Sequence, residues 1–300
     1  MQPRHATPLV GAMGLLAMGA ASLLASTSGC STKSTNACGQ SGAALEVTAP
    51  VCPGPSVVKG VDVSTYDGVV DWPTVKGAGV DFAFARISDG TTHPDDRFAA
   101  NWPAMKSAGV VRGAYQYFRA SEDPVLQANL VATALTNAGG LVTGDLPVVA
   151  DVETADGQTP AVVETKLKNW LGAVEAATGR KPIVYTSVGT WPVTSNAFAG
   201  YTLWVANYGV TCPALPPGWT SWAFWQTSAT GTTKGITGKG DLDVFDGTLG
   251  DLLGLAGGAP PPVDAGTDAA PPPPPPSSDS GAPPAAPVDA GAPMGSGPCQ

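Results

Sequence analysis

The sequence predicts an α/β fold: a modified TIM-like (β/α) barrel with an irregular, β-rich C-terminal part. Three observations predict it. Short apolar or alternating runs rich in Val, Phe, Tyr and Trp recur eight times in the middle of the chain, the pattern of half or wholly buried strands. Helix-like segments separate the first five of these runs, so the early connections read as crossovers between parallel strands. After residue 200 the runs crowd together and Gly and Pro increase, which suits hairpins better than helical crossovers.

In order, the expected strands cover residues 58–64, 81–87, 110–118, 146–152, 182–187, 202–208, 222–228 and 241–245. The clearest helix starts with Thr159 as N-cap and Pro160 at the first helical position, where a missing N–H leaves no bond unmade. An apolar stripe runs through Val163, Leu167, Trp170, Leu171 and Val174, Glu164 and Lys168 pair at i, i+4 on the exposed side, and Gly179 stops the helix. Other helices are expected over 95–108 and 124–138, with a shorter one near 72–78.

The ends differ in kind from this core. Residues 1–30 read as an export signal, with Arg4 in the n-region and an apolar h-region from Leu9 to Leu24 that is too short for a mature membrane span. The segment closes on "STSGC", and Gly29-Cys30 after small residues resembles a bacterial lipoprotein cleavage site, in which Cys30 is lipidated and kept as the new N-terminus. Thr27 stands where such sites carry Leu or another aliphatic, so plain secretion is the alternative, and either reading puts the protein outside the cytoplasm. Residues 31–56 read as a linker and 57–256 as the barrel. From 257 to 300 runs a Pro/Ala/Gly/Asp-rich tail with 14 of the 30 prolines, six of them consecutive from Pro271 to Pro276. Such a composition buries too little apolar surface to offset the entropy of ordering, and disorder is expected there.

The net charge of -9 leaves the barrel acidic, which argues against nucleic acid, since counterion release needs a basic surface. Only two His occur, His5 in the signal and His93 in the loop-like "DGTTHPDD", so a zinc hydrolase or a Ser-His-Asp triad has little to draw on. The five Cys show no C-x-x-C spacing; Cys52 and Cys212, which flank the core, are the expected disulfide. No metal or other cofactor is expected, and the chemistry falls to carboxylates.

In β/α barrels the βα loops converge at the C-terminal ends of the strands. The expected strands bring to that end Asp62, Asp89, Tyr115 with Tyr117, Asp151 with Glu153, Tyr185, Asn207 with Tyr208, Gln226 and Asp241. In "LPVVADVET" an apolar run ends on Asp151 and Glu153, which alternation along a strand projects to the same side, their α-carbons about 6.5 to 7 Å apart. Two carboxylates so close in a partly dry site resist simultaneous ionisation. A proton-bearing acid beside a charged stabiliser is what cleavage of a glycosidic bond requires.

Seven segments carry a family resemblance: "GVDVSTYDG" (60–68), "GAYQYF" (113–118), "LPVVADVE" (146–153), "ATGRKPIVYT" (177–186), "LWVANY" (203–208), "WQ" (225–226) and "GDLDVFDG" (240–247). In this order they resemble the glycoside hydrolase family 25 lysozymes, which are N-acetylmuramidases. The resemblance implies a modified (β/α) barrel that hydrolyses the β-1,4 bond between N-acetylmuramic acid and N-acetylglucosamine in peptidoglycan. It implies Glu153 as general acid and base, Asp151 as stabiliser of the substrate's acetamido group acting as internal nucleophile, and Asp62 and Asp241 as further acids of the groove. Tyr66, Tyr117, Tyr185, Tyr208 and Trp225 then read as sugar-stacking or site-lining aromatics. The expected partners are the glycan strands of peptidoglycan, with no nucleic acid, a membrane only through a lipid on Cys30, and the protein a monomer.

The sequence also departs from the family pattern. Asp89 replaces the usual Glu on a shorter arm, Asp67 stands where Gln is common, and Gln116 where His is common after the "GAY" tyrosine. Three rival readings stand beside the lysozyme. One is a non-catalytic wall-binding lipoprotein on the same barrel, one a hydrolase of another N-acetylhexosamine polymer, and one a barrel in which Asp62, Asp151, Glu153 and Asp241 hold Mg²⁺ or Ca²⁺ as oxygen ligands.

Overall fold

The computed structural model describes residues 49–258. The expected signal, Cys30 and its lipidation, the linker up to residue 48 and the tail beyond Gly258 lie outside the described residues. In chain order the elements are β1 (Val57–Val63), α1 (Trp72–Gly77), β2 (Phe82–Asp89), β3 (His93–Pro94), α2 (Phe98–Ser107), β4 (Val111–Tyr117), α3 (Pro124–Asn137) and β5 (Val149–Asp151). There follow α4 (Pro160–Thr178), β6 (Ile183–Ser187), β7 (Thr202–Ala206), β8 (Phe224–Gly231), β9 (Gly240–Asp246) and α5 (Leu249–Leu255).

The sheet runs β1-β9-β8-β7-β6-β5-β4-β2, with β1 paired back onto β2, so these eight strands close a barrel and β3 is a two-residue appendage on β2. Strands β1, β2, β4, β5, β6, β7 and β8 pair in parallel along the barrel wall. The irregular part is β9, antiparallel to both β8 and β1. No helix separates β7 from β8, in keeping with the crowding of strand runs after residue 200.

The helices form where the sequence places their caps. In α4 the Thr159 side chain accepts from Val162 N–H, and Gly179 takes a left-handed φ of 69° that a side chain would resist. Its stripe of Val163, Leu167, Trp170, Leu171 and Val174 is buried against the outside of the barrel, and Glu164 meets Lys168 at 2.6 Å on the exposed side. The helix α5 was not foreseen. Its "LGDLLGL" is too short and too rich in Gly to signal a stripe, yet Leu252 is fully buried against the barrel interior.

Two cores result. The outer one lies between strands and helices and contains Trp72, Trp102 and Trp170. The inner one fills the barrel with Phe82, Phe84, Trp204, Phe224 and Phe245, Phe84 stacking on Trp204 at 4.6 Å between ring centroids. Glycine makes this filling fit: a Cβ on Gly60 or Gly113 would come within 2.2 Å of Phe82 or 2.3 Å of Phe84. Because aromatic rings occupy the barrel interior, polar side chains on these strands collect at the mouth.

Cys52 and Cys212 form a disulfide across 160 positions of sequence. Beside it, Val51 N–H donates to Pro213 O and Trp222 Nε1 to Val51 O, at 3.0 and 2.8 Å, so the segment before β1 is strapped to the loop after β7. Among the described residues no helix is long and apolar enough to cross a membrane.

Candidate active site

At the mouth of the barrel a cavity of about 310 Å³ is walled by acids and tyrosines, among them Asp62, Asp151, Glu153 and Asp241. A second cavity of about 340 Å³ shares Glu153, Tyr185 and Tyr208 with it and continues to Ser187, Thr190 and Asn207. Glu153 therefore stands where the two spaces meet. A larger groove of about 550 Å³ lies between α2 and α3, outside the barrel. Its one carboxyl, Asp95, is already held by Thr65 N–H, Arg86 Nε and Arg97 N–H, so size does not mark the site.

The strand β5 supplies the central pair. Asp151 is its last residue, and beyond it Val152 N–H still donates to Tyr185 O at 2.9 Å, so alternation continues and both acids face the cavity. Asp151 is 6 % exposed and Glu153 half-buried, and their carboxyls are close enough to hydrogen-bond to each other. Burial raises the proton affinity of both. The negative charge of Glu153 raises Asp151 further, well above the usual carboxylate range, while hydrogen bonding by Asp151, the Arg119 charge and a hydrogen bond with Tyr185 hold Glu153 lower. Of the two, Asp151 is shifted the further.

A second carboxyl pair lies deeper. Asp62 and Asp243 are both buried and lie close enough to act on each other's proton affinity; Gln226 Nε2 donates to Asp62 Oδ2 at 2.6 Å and Trp204 Nε1 to Asp243 Oδ1 at 3.0 Å. Burial raises both well above the usual range, and their mutual proximity and Asp241 add to the rise of Asp62. Asp241 is raised to about 6 by burial and then by Asp67 and Glu153. Arg86 is the sole cation on the cavity wall, and it is already bonded to Asp95 at 3.0 Å. So many acids with so little compensating charge hold their protons more tightly than isolated carboxyls do.

Gln226 ties the pairs together. Its Oε1 accepts from Tyr185 OH at 2.8 Å and Tyr208 OH at 2.5 Å, while its amide nitrogen serves Asp62. Tyr185 has a single proton and also faces Glu153, and Tyr208 gives the Gln226 oxygen a second donor.

The sequence-predicted residues separate into three sets. Asp62, Tyr66, Tyr115, Tyr117, Asp151, Glu153, Tyr185, Tyr208, Gln226 and Asp241 all line the first cavity. Tyr66 does so as a lip, 86 % exposed, with the Arg86 guanidinium 4.9 Å from its ring centroid. Asn207 lines only the second cavity, its Oδ1 accepting from Ala214 N–H at 2.9 Å. Trp225 and Asp89 line neither. Gln226 faces inward, so its neighbour Trp225 points out, packs on Trp222 and donates to Asn207 O. Asp89 follows an irregularity at Arg86/Ser88 that turns Ile87 and Ser88 both outward, and it ends bidentate on Arg119 at 2.5 and 2.7 Å. Gln116 also points outward, where it accepts from Trp170 Nε1 at 2.6 Å and donates to Ser88 Oγ at 2.8 Å.

Sequence reasoning missed Arg86, Ser64, Trp204 and Asp243. The signal for Asp243 was present, since "DLD" places Asp241 and Asp243 two apart on one strand, the same spacing that pairs Asp151 with Glu153.

A family model described as "Glycosyl hydrolases family 25" matches residues 61–236, which spans strands β1 to β8 and the barrel-mouth acids from Asp62 to Glu153. The chain belongs to glycosyl hydrolase family 25. The family 25 barrel is 35 % identical over 214 residues to Lysozyme M1 of Streptomyces globisporus, covering 67 % of this chain and 72 % of that protein. It is 27 % identical over 220 residues to the N,O-diacetylmuramidase of a Chalaropsis species, with 67 % and 100 % covered. Among solved structures, the bacterial lysozyme of Streptomyces coelicolor matches with a TM-score of 0.63 and 35 % identity over 68 % of this chain and 98 % of that one. A family GH25 lysozyme of Aspergillus fumigatus matches at 0.59 and 27 %, over 67 % and 99 %. The closed α/β barrel and its place among the glycoside hydrolases follow.

Proposed function

We propose that this family 25 protein is a lysozyme acting on peptidoglycan, an endo-N-acetylmuramidase that cleaves the β-1,4 bond between N-acetylmuramic acid and N-acetylglucosamine. The observation that carries the reading is the Asp151–Glu153 pair, two neighbouring carboxyls with raised proton affinity where two cavities meet. The names of the relatives, lysozymes and muramidases, support the same substrate.

The proton count gives the mechanism. With substrate in the first cavity the pair's proton sits on Glu153, which gives it to the glycosidic oxygen as the C1–O bond breaks. Asp151, now ionised, accepts a hydrogen bond from the acetamido N–H of the same sugar, whose carbonyl oxygen attacks C1. Water then opens that ring, its proton returning to Glu153, and the pair is restored. Asp62 and Asp241 hold the sugar from the opposite wall, and Tyr66, Tyr117 and Tyr208 offer ring faces to it. Asn207 belongs to the leaving-group side, whereas Asp89 and Trp225 act at one remove. The signal-like composition of residues 1–30 supports an activity outside the cytoplasm, with Cys30 either lipid-anchored or removed with the signal.

Mass spectrometry of the fragments released from purified peptidoglycan tests the reading. Reducing-end muramic acid is expected. Reducing-end glucosamine would make the enzyme a glucosaminidase, and release of no fragment would leave a glycan-binding barrel.

A further inference from the structure

Glu153 lies one residue past Val152, whose N–H makes the last hydrogen bond of β5 to the neighbouring strand, so the sheet alone does not hold it. The chain after it turns sharply: Asp156 N–H donates to Thr154 Oγ1 at 3.0 Å and Gln158 N–H to Ala155 O at 2.8 Å. At the centre of that turn Asp156 has φ +48°, the one non-glycine residue with positive φ among the described residues. Such a conformation persists only where the surroundings impose it. Here the surroundings are Arg119, which donates from NH1 to Asp156 Oδ1 at 3.2 Å and from Nε and NH2 to Asp89. The same guanidinium lies 4.4 Å from the ring centroid of Tyr117, which lines the first cavity. Arg119 follows β4, Asp89 ends β2 and Asp156 follows β5, so one cation joins the mouths of three consecutive barrel strands.

We infer that Arg119, clamped between Asp89 and Asp156, is a positioning residue for Glu153: it fixes the turn that carries the acid and presents the Tyr117 ring beside it. The inference rests on the lysozyme reading of the site. It gives a purpose to the shortened arm at Asp89, whose carboxylate is spent on Arg119 rather than on the cavity. The groups facing Glu153 are Asp151 on its own segment, Tyr117 and Arg119 from the end of β4, Tyr185 on β6, Tyr208 after β7 and Asp241 on β9. Arg119 is the one cation among them, so it opposes the acids and lowers the proton affinity of Glu153.

The test uses three variants of the exported chain on purified peptidoglycan, each checked for a cooperative melt. Arg119→Met is expected to lower kcat by ~10-fold or more, as a misplacement of about 1 Å costs up to ~100-fold, with KM little changed. It should also move the alkaline limb of the pH–rate profile to higher pH. Asp156→Gly, which keeps the left-handed backbone and removes the carboxylate, should lower kcat without that upward move, and Asp156→Asn, which keeps an acceptor oxygen, should retain most of the activity. Wild-type kcat and an unmoved limb in folded Arg119→Met would overturn the inference, and if that variant does not fold, wild-type kcat in Asp156→Gly would do so. Failure of the lysozyme reading looks different: the unmodified enzyme releases no muropeptide, or Glu153→Gln stays active.

Discussion

Asp151 and Glu153 lie together at the barrel mouth, close enough that each carboxyl shifts the proton affinity of the other, with Asp151 the more deeply buried of the two. Each half of the pair therefore has its own predicted phenotype. Glu153→Gln removes the group that protonates the leaving oxygen and is expected to lose ~100- to ~10,000-fold in kcat with folding preserved. Asp151→Asn keeps the shape but cannot pass a proton to Glu153, and should lose activity while still binding glycan. Turnover measured on purified peptidoglycan checks both, and near wild-type rates in Glu153→Gln would refute the assignment.

The pH–rate profile follows from the same contact. Burial raises both carboxyls, and Asp151 most, so the pair keeps its proton above the ordinary carboxyl range of about 4. Activity should fall on the alkaline side as that last proton leaves. A profile with its alkaline limb near ~4 would show that the pair does not share a proton in solution.

Asp241 links the site to stability. Its affinity is raised to about 6 from 3.8 by burial, Asp67 and Glu153. A carboxyl raised in the folded state contributes stability that is complete below its unfolded value and is lost as pH rises through its folded value. Asp241→Asn should therefore melt at a higher temperature than wild type at pH 8 and at the same temperature at pH 3, with activity reduced. Allowing for partial exposure, a gain on the order of 1 kcal/mol is expected at the higher pH. Equal melting temperatures at pH 8 would remove the electrostatic argument for this residue.

The Cys52–Cys212 bridge encloses most of the barrel, its sequence separation being 160. Chain entropy for so long a loop gives a stabilisation on the order of 5 kcal/mol as an upper figure. Cys52→Ser is expected to lower the unfolding free energy by ~2–5 kcal/mol, read as a lower urea midpoint, and a reductant should have the same effect on wild type but none on the variant. An unchanged midpoint would mean that the Val51–Pro213 and Trp222–Val51 contacts hold the strap without the bridge.

The sequence by itself determined the barrel, the cap-and-stripe helix α4, the clustering of the polar strand ends and the Asp151–Glu153 pair. All of these rest on local rules: period, caps and alternation act within a few residues and are written in the order of side chains. Tertiary structure decided what local order does not contain. Arg119, from beyond the end of β4, holds the Asp89 carboxylate off the cavity, and the inward choice of Gln226 on β8 put Trp225 outside, because register across a sheet depends on the partner strand. Asp243 became a partner of Asp62 only when antiparallel β9 closed the barrel against β1, bringing carboxyls from the two ends of the domain together. The raised proton affinity of each pair belongs to that closure, since burial, which no single strand provides, is the largest cause of every raised carboxyl in the site.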